Sequence, residues 1–243
     1  MNVENKILKE SLPYGNTQNA IFSNSDWEII GKSAGNKDIT GKRLNGKPES
    51  KKALLIGGVH GNETEGIRFM EEFVREFALN KSVSPVDCEI YVIPVFNPDG
   101  FLKFQRGNEN GVDLNRNMPT KDWSDIYTEQ KYFPGSRPCS EPETSVMMKV
   151  INDYRPDFII SFHSWKPMIN INGPARPFAE VMTKKLNMEI VEDIGYPTPG
   201  SLGTYAGWER KIPTITLEFE RGVVLDSIYP LARDAILDTL AVL

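Results

Sequence analysis

With 243 residues, 40% of them apolar and 25% charged, the chain is long enough for one α/β domain. Such a domain buries roughly 70% of its unfolded surface without help from disulfides or a structural metal. A net charge of −5 gives no general attraction to a polyanion, so nucleic acid is not an expected partner. No apolar run approaches the ~20 residues of a membrane span, and residues 1–13 lack the uninterrupted apolar core of a signal peptide. The default expectation is a cytoplasmic protein with no membrane contact, prior removal of a leader being left open. Cys88 and Cys139 are the only cysteines and are expected to be free thiols, Cys88 buried in the apolar run at 88–94.

In chain order, a short opening segment at 27–30 is followed by Gly-, Lys-, Asn- and Ser-rich residues 31–52, expected as a hairpin or loop region. Residues 53–59 form an apolar run ending in glycines. Ile67, Met70, Phe73, Val74 and Phe77 then recur at helical spacing, giving strand, loop and helix. A second strand is predicted over 88–96, stopped by the turn signal Asn97-Pro98-Asp99-Gly100. A long polar stretch reaches Ser140, which is predicted to N-cap a helix with Pro142 in its first turn and an end near Arg155-Pro156. Strands over 158–162 and 213–219 and helices over 178–186 and 231–243 complete the pattern. The alternation predicts an α/β fold of one domain over 1–243, a mixed, mostly parallel twisted sheet with helices on both faces. Residues 1–52 form an N-terminal extension and first hairpin region of that domain. In such folds, sites gather beyond the carboxyl ends of strands.

Both histidines of the chain stand at predicted strand ends, His60 after Val59 and His163 after Phe162. Glu63 lies three residues beyond His60 on a Gly-containing turn, so two imidazoles and one carboxylate with an open fourth position would make a catalytic zinc site. An isolated H-x-x-E more often has no such meaning, since Glu63 also favours the N-terminus of the helix that follows. The strand at 213–219 adds weight, because it carries Glu218, with Glu220 just beyond, and a carboxylate buried there needs a partner or a task. Between these elements lies a loop dense in guanidinium and amide groups, with Arg106, Asp113, Asn115, Arg116 and Asn117. Arginines so placed suit a carboxylate or an oxyanion, although a solvated polar loop would look the same.

The ordered set H-x-x-E, NPDG, an arginine, D-x-N-R-N, a strand-end histidine and a strand-end glutamate, spread over residues 53–222, resembles the M14 metallocarboxypeptidase family. The stretches at 106–117, 134–144 and 195–201 look like its murein peptide amidase branch. The resemblance implies a zinc carboxypeptidase-like fold, one zinc per chain, and ligation by His60, Glu63 and His163. It implies Glu218 rather than Glu220 as the general base, Arg106 as the group that polarises the scissile carbonyl, and Asn115 with Arg116 as the pair that binds a free substrate carboxylate. Asp113 then orients His60, and Tyr196 matches the mobile tyrosine that caps the substrate, a packed aromatic in a Pro-rich turn being the alternative. The implied activity is exo-acting hydrolysis of the amide next to a terminal carboxylate, with a murein tripeptide and its γ-D-glutamyl to meso-diaminopimelate bond as substrate. A carboxypeptidase acting on other peptides or another cell-wall bond, a deacylase of N-acyl amino acids, and an inactive module that retains the metal stay open at this point. Oligomeric state is not legible.

Overall fold

The computed structural model describes residues 27–47, 49–79 and 86–243. The expectation about residues 1–13 lies outside them. Eight strands form one sheet: β1 Glu28–Lys32, β2 Asp38–Asn45, β3 Lys52–Ile56, β4 Glu89–Ile93, β5 Phe158–Trp165, β6 Met168–Asn172, β7 Ile190–Val191 and β8 Thr214–Glu220. Their spatial order is β1-β2-β4-β3-β5-β8-β6-β7. The centre, β4-β3-β5-β8, is parallel, whereas β1 and β2 on one side and β6 against β8 on the other are antiparallel. The sheet is therefore mixed with a parallel core, as expected. Among the described residues no helix is long and apolar enough to cross a membrane.

Both faces of the central strands are apolar because both are covered. Ala53 and Leu55 of β3 join Ile160 and Phe162 of β5 on one face. There they pack against Phe69, Met70 and Phe73 of α1 (Thr64–Leu79), Met182 of α4 (Arg176–Leu186) and Ile236 of α5 (Leu225–Ala241). Leu54 and Ile56 point the other way, to Met147, Val150 and Ile151 of α3 (Pro142–Tyr154). Each fully buried side chain of this kind contributes roughly 1.5–3 kcal/mol. Cys88 is buried, Cys139 is half-buried, and both are free thiols.

Several boundaries differ from the sequence reading. NPDG is not a bare turn: Asn97 accepts from the Gly100 N–H at 2.8 Å and so caps the short helix α2, Pro98–Lys103. Ser140 is not the cap of α3. That position falls to Glu141, which makes no side-chain cap bond, while the Ser140 hydroxyl donates to Glu141 Oε1 at 2.7 Å. α5 begins at Leu225 rather than 231, since Pro230 sits inside the helix, where it forgoes one backbone bond. β5 continues past Phe162 to Trp165, so His163 lies within a strand rather than after it. β6, β7 and a π-helical turn at Gly203–Trp208 were not legible as elements.

Candidate metal centre and cleft

β3 stops at Ile56, and the chain turns at Gly57 and Gly58 to deliver His60 over the carboxyl end of the sheet. Gly61 makes this turn possible, because a Cβ there would stand 1.9 Å from the Gly100 carbonyl carbon. The turn closes with the Glu63 N–H donating to the His60 carbonyl at 3.1 Å. β5 brings His163 to the same point. The His60 and His163 Nδ1 atoms are 3.1 Å apart, and Glu63 places one oxygen 3.0 Å from His60 Nδ1 and the other 2.9 Å from His163 Nδ1. All three residues are buried. Among the described residues this is the only group of three or more such side chains whose donor atoms converge.

The donor set fits zinc: a tetrahedral site with bonds of about 2.0–2.1 Å sets its ligand atoms roughly 3.3 Å apart. Burial alone would raise the Glu63 carboxyl, but the two imidazoles outweigh it and hold the group well below the usual carboxylate range. The far nitrogens are fixed as well. His60 Nε2 meets Asp113 Oδ1 at 3.0 Å, and His163 Nε2 meets the Ser161 hydroxyl at 3.1 Å. Such partners set ring orientation and tautomer, leaving both Nδ1 atoms turned to Glu63.

Asp113 holds three groups in place. Besides His60 it accepts from Arg106 Nε at 2.9 Å and, as the cap of the turn Leu114–Arg116, from the Asn115 N–H at 2.9 Å. Burial opposes its ionisation, yet His60 and the Arg106 and Arg116 guanidiniums keep its carboxyl strongly lowered. Asn117 ties the loop down, donating to the Pro134 carbonyl at 2.7 Å and accepting from the Thr144 hydroxyl of α3 at 2.7 Å. Asn115 accepts from the Leu202 N–H at 2.9 Å, joining this loop to the segment that forms the far wall.

The centre opens into a cleft of about 480 Å³, which Arg106, Asn115, Arg116, Tyr196 and Glu218 all line. Every site residue expected from the sequence is therefore brought to one place. Arg106 also donates to Glu63 Oε1 at 3.2 Å. Arg116 is buried, and among the described residues no carboxylate lies within ion-pair distance of it; its guanidinium donates to the Asn115 carbonyl at 2.7 Å. The cleft also includes residues that the sequence reading missed. Asn172 of β6 and Thr216 of β8 form part of its wall, as does Tyr132, and Arg221 approaches Glu63 Oε1 to 3.6 Å. Tyr196 is half-exposed, with its ring edge-on to Trp165 at 5.8 Å, so it stands at the mouth rather than packed in a turn.

β8 runs beside β5 with Glu218 in register with His163, and strand alternation turns Thr216 and Glu218 to one face. Glu220 is exposed at the strand end. Burial pushes the Glu218 carboxyl up to about 7, with Glu63 adding to the rise and His163 opposing it, and its Oε2 has no partner. The consequence for the metal-free protein can be measured. A carboxyl raised on folding contributes stability fully present below its unfolded value near 4.3 and lost as pH rises through about 7. Glu218→Gln, which cannot ionise, should therefore gain on the wild type by roughly 2–4 kcal/mol at pH 8. Urea unfolding of chelator-treated proteins should show the gap opening between about pH 4.5 and 7; a gap independent of pH would contradict the burial argument.

The sequence matches the peptidase M14 zinc carboxypeptidase family over residues 17–232. It is 34% identical to murein peptide amidase A of Vibrio campbellii over 180 residues, covering 69% of this chain and 68% of that protein. With murein peptide amidase A of Escherichia coli K12 it shares 30% over 178 residues, 68% and 70% of the two chains. Among solved structures, murein-tripeptide amidase MpaA from Escherichia coli O157 superposes with a TM-score of 0.74 at 26% identity, over 88% of this chain and 91% of that one. Carboxypeptidase A from Helicoverpa armigera, at 17% identity and a TM-score of 0.72 over 87% and 66%, shares the fold.

Proposed function

Because the chain belongs to the M14 zinc carboxypeptidase family, we propose that it is an exo-acting zinc amidase that releases diaminopimelate from murein tripeptide by cutting the γ-D-glutamyl amide. The observation that carries this reading is Arg116, a buried guanidinium with no carboxylate partner among the described residues, facing the same cleft as the three-donor centre and Glu218. A buried charge of this kind calls for an anion. A substrate that ends in a free carboxylate supplies one by bidentate pairing, with Asn115 beside it. The names of the two relatives point to murein peptides as that substrate.

In this reading His60, Glu63 and His163 hold one zinc per chain. When bound, the ion polarises a carbonyl and makes water more acidic. Glu218 takes the proton of the attacking water on a carboxylate oxygen and later delivers a proton to the departing amine. The carbonyl carbon gains a bond to oxygen and loses its bond to nitrogen, giving L-Ala-D-Glu and free diaminopimelate. Arg106 keeps N–H groups beyond those given to Asp113 and Glu63, and they stabilise the oxyanion. Tyr196 at the cleft mouth covers the bound peptide. Arg116 fixes the carboxylate so that only the adjacent amide reaches the centre.

The tetrapeptide, in which a terminal D-Ala converts that carboxylate to an amide, should be the poorer substrate by at least about tenfold in kcat/KM, since a charge-assisted pair worth roughly 1.5–3 kcal/mol cannot form. Arg116→Ala should narrow the gap by harming only the tripeptide. Paired kinetics on the two peptides test this, and equal wild-type rates would refute the exo-acting model.

A further inference from the structure

Two cavities meet at Arg116. One is the polar cleft already described. The other, about 660 Å³, has walls that are mostly carbon, among them Ile126, Tyr127, Pro134 and Pro199. Arg116, Tyr132, Tyr196 and Thr198 face both. Tyr132 stands in the 3-10 turn Gln130–Tyr132, within the long stretch between Lys103 and Pro142 that has neither strand nor α-helix. Its ring centre is 5.3 Å from the Arg106 guanidinium carbon, 5.6 Å from that of Arg116 and 6.4 Å from the Tyr196 ring.

An aromatic face attracts a guanidinium without accepting its in-plane N–H groups. A carboxylate in the place of Tyr132 would occupy those donors and neutralise the charge; an aliphatic side chain would offer the two guanidiniums no cation–π attraction. Tyr132 thus takes up none of the arginines' N–H groups while lining both the cleft and the apolar groove. A groove of this volume has ample room for one small residue beyond the carboxylate that Arg116 would hold.

We propose that Tyr132 is a specificity-determining residue: its ring closes the cleft behind Arg116, so that a peptide ending at the bound carboxylate fits and one continuing into the apolar groove is turned away. The inference rests on the exo-acting reading above, and it adds a steric element to the loss of the carboxylate pair. Removing the ring joins the two cavities and gives the extra residue a place.

The test measures kcat and KM of zinc-loaded wild type, Tyr132→Phe, Tyr132→Leu and Tyr132→Ala on L-Ala-γ-D-Glu-meso-diaminopimelate and on the same peptide extended by D-Ala. Wild type and Tyr132→Phe should prefer the tripeptide by about tenfold or more. Tyr132→Ala should narrow the ratio several-fold, chiefly through a higher kcat/KM on the tetrapeptide, with Tyr132→Leu between. Such a gain on the longer substrate would not result from a merely weakened fold. A wild-type preference that persists unchanged in the Ala and Leu variants, or equal losses on both peptides, overturns the role of Tyr132 alone. A wild type without preference overturns the exo-acting reading and this inference with it.

Discussion

Glu218→Gln should lower kcat on the order of 10²-fold or more while zinc content and fold are retained. Gln keeps the side-chain shape and a carbonyl oxygen, but it cannot take a proton from water at neutral pH. The position suits proton transfer: burial raises the Glu218 carboxyl in the metal-free protein, and its Oε2 has no partner among the described residues. Glu220→Gln is the matched control, two residues on at the exposed strand end, and should be nearly silent. Steady-state kinetics with elemental analysis decides the matter. A crippled Glu220→Gln beside an active Glu218→Gln would move the base by two positions.

His60→Ala and His163→Ala should each lose most of the metal and, with it, nearly all activity, against about one zinc per chain in the wild type. Each removes one of three donors that converge within 4.8 Å of one another, and two remaining donors do not make a catalytic zinc site. The losses should exceed those from changing a supporting residue such as Asp113, whose effect is carried through the orientation of His60. Elemental analysis of the protein after growth with zinc checks this directly; a metal-free wild type or a fully loaded mutant would count against the assignment.

The site was legible in the sequence wherever chemistry was tied to a strand end. His60 and Glu63 lie on a glycine turn after β3, and Glu218 lies on the alternating face of β8, so pattern alone placed them near one rim of the sheet. The D-x-N-R-N segment was legible as a ligand loop, but not the reason for its second Asn. Asn117 never reaches the cleft and instead binds the Pro134 carbonyl and the start of α3. Tyr132 was invisible for a physical reason: it lies in a polar stretch with no hydrophobic period, and only the folded loop lays its ring on two arginines far from it in sequence. Asn172 was missed with β6, a five-residue strand whose burial alternates and whose apolar signal is too short to register. α5 starts at Leu225, ahead of the predicted 231, with Pro230, ordinarily a helix breaker, in its interior.

The three-donor centre, Glu218 and Arg116 together are expected to hydrolyse the amide next to a free carboxylate of a murein peptide. Incubating the zinc-loaded protein with L-Ala-γ-D-Glu-meso-diaminopimelate, with a chelator control, and following the products by mass spectrometry tests it most directly. Free diaminopimelate and L-Ala-D-Glu should appear in equal amounts, and the chelator should abolish both. Intact tripeptide, or release of alanine with the diaminopimelate still joined to glutamate, would contradict it.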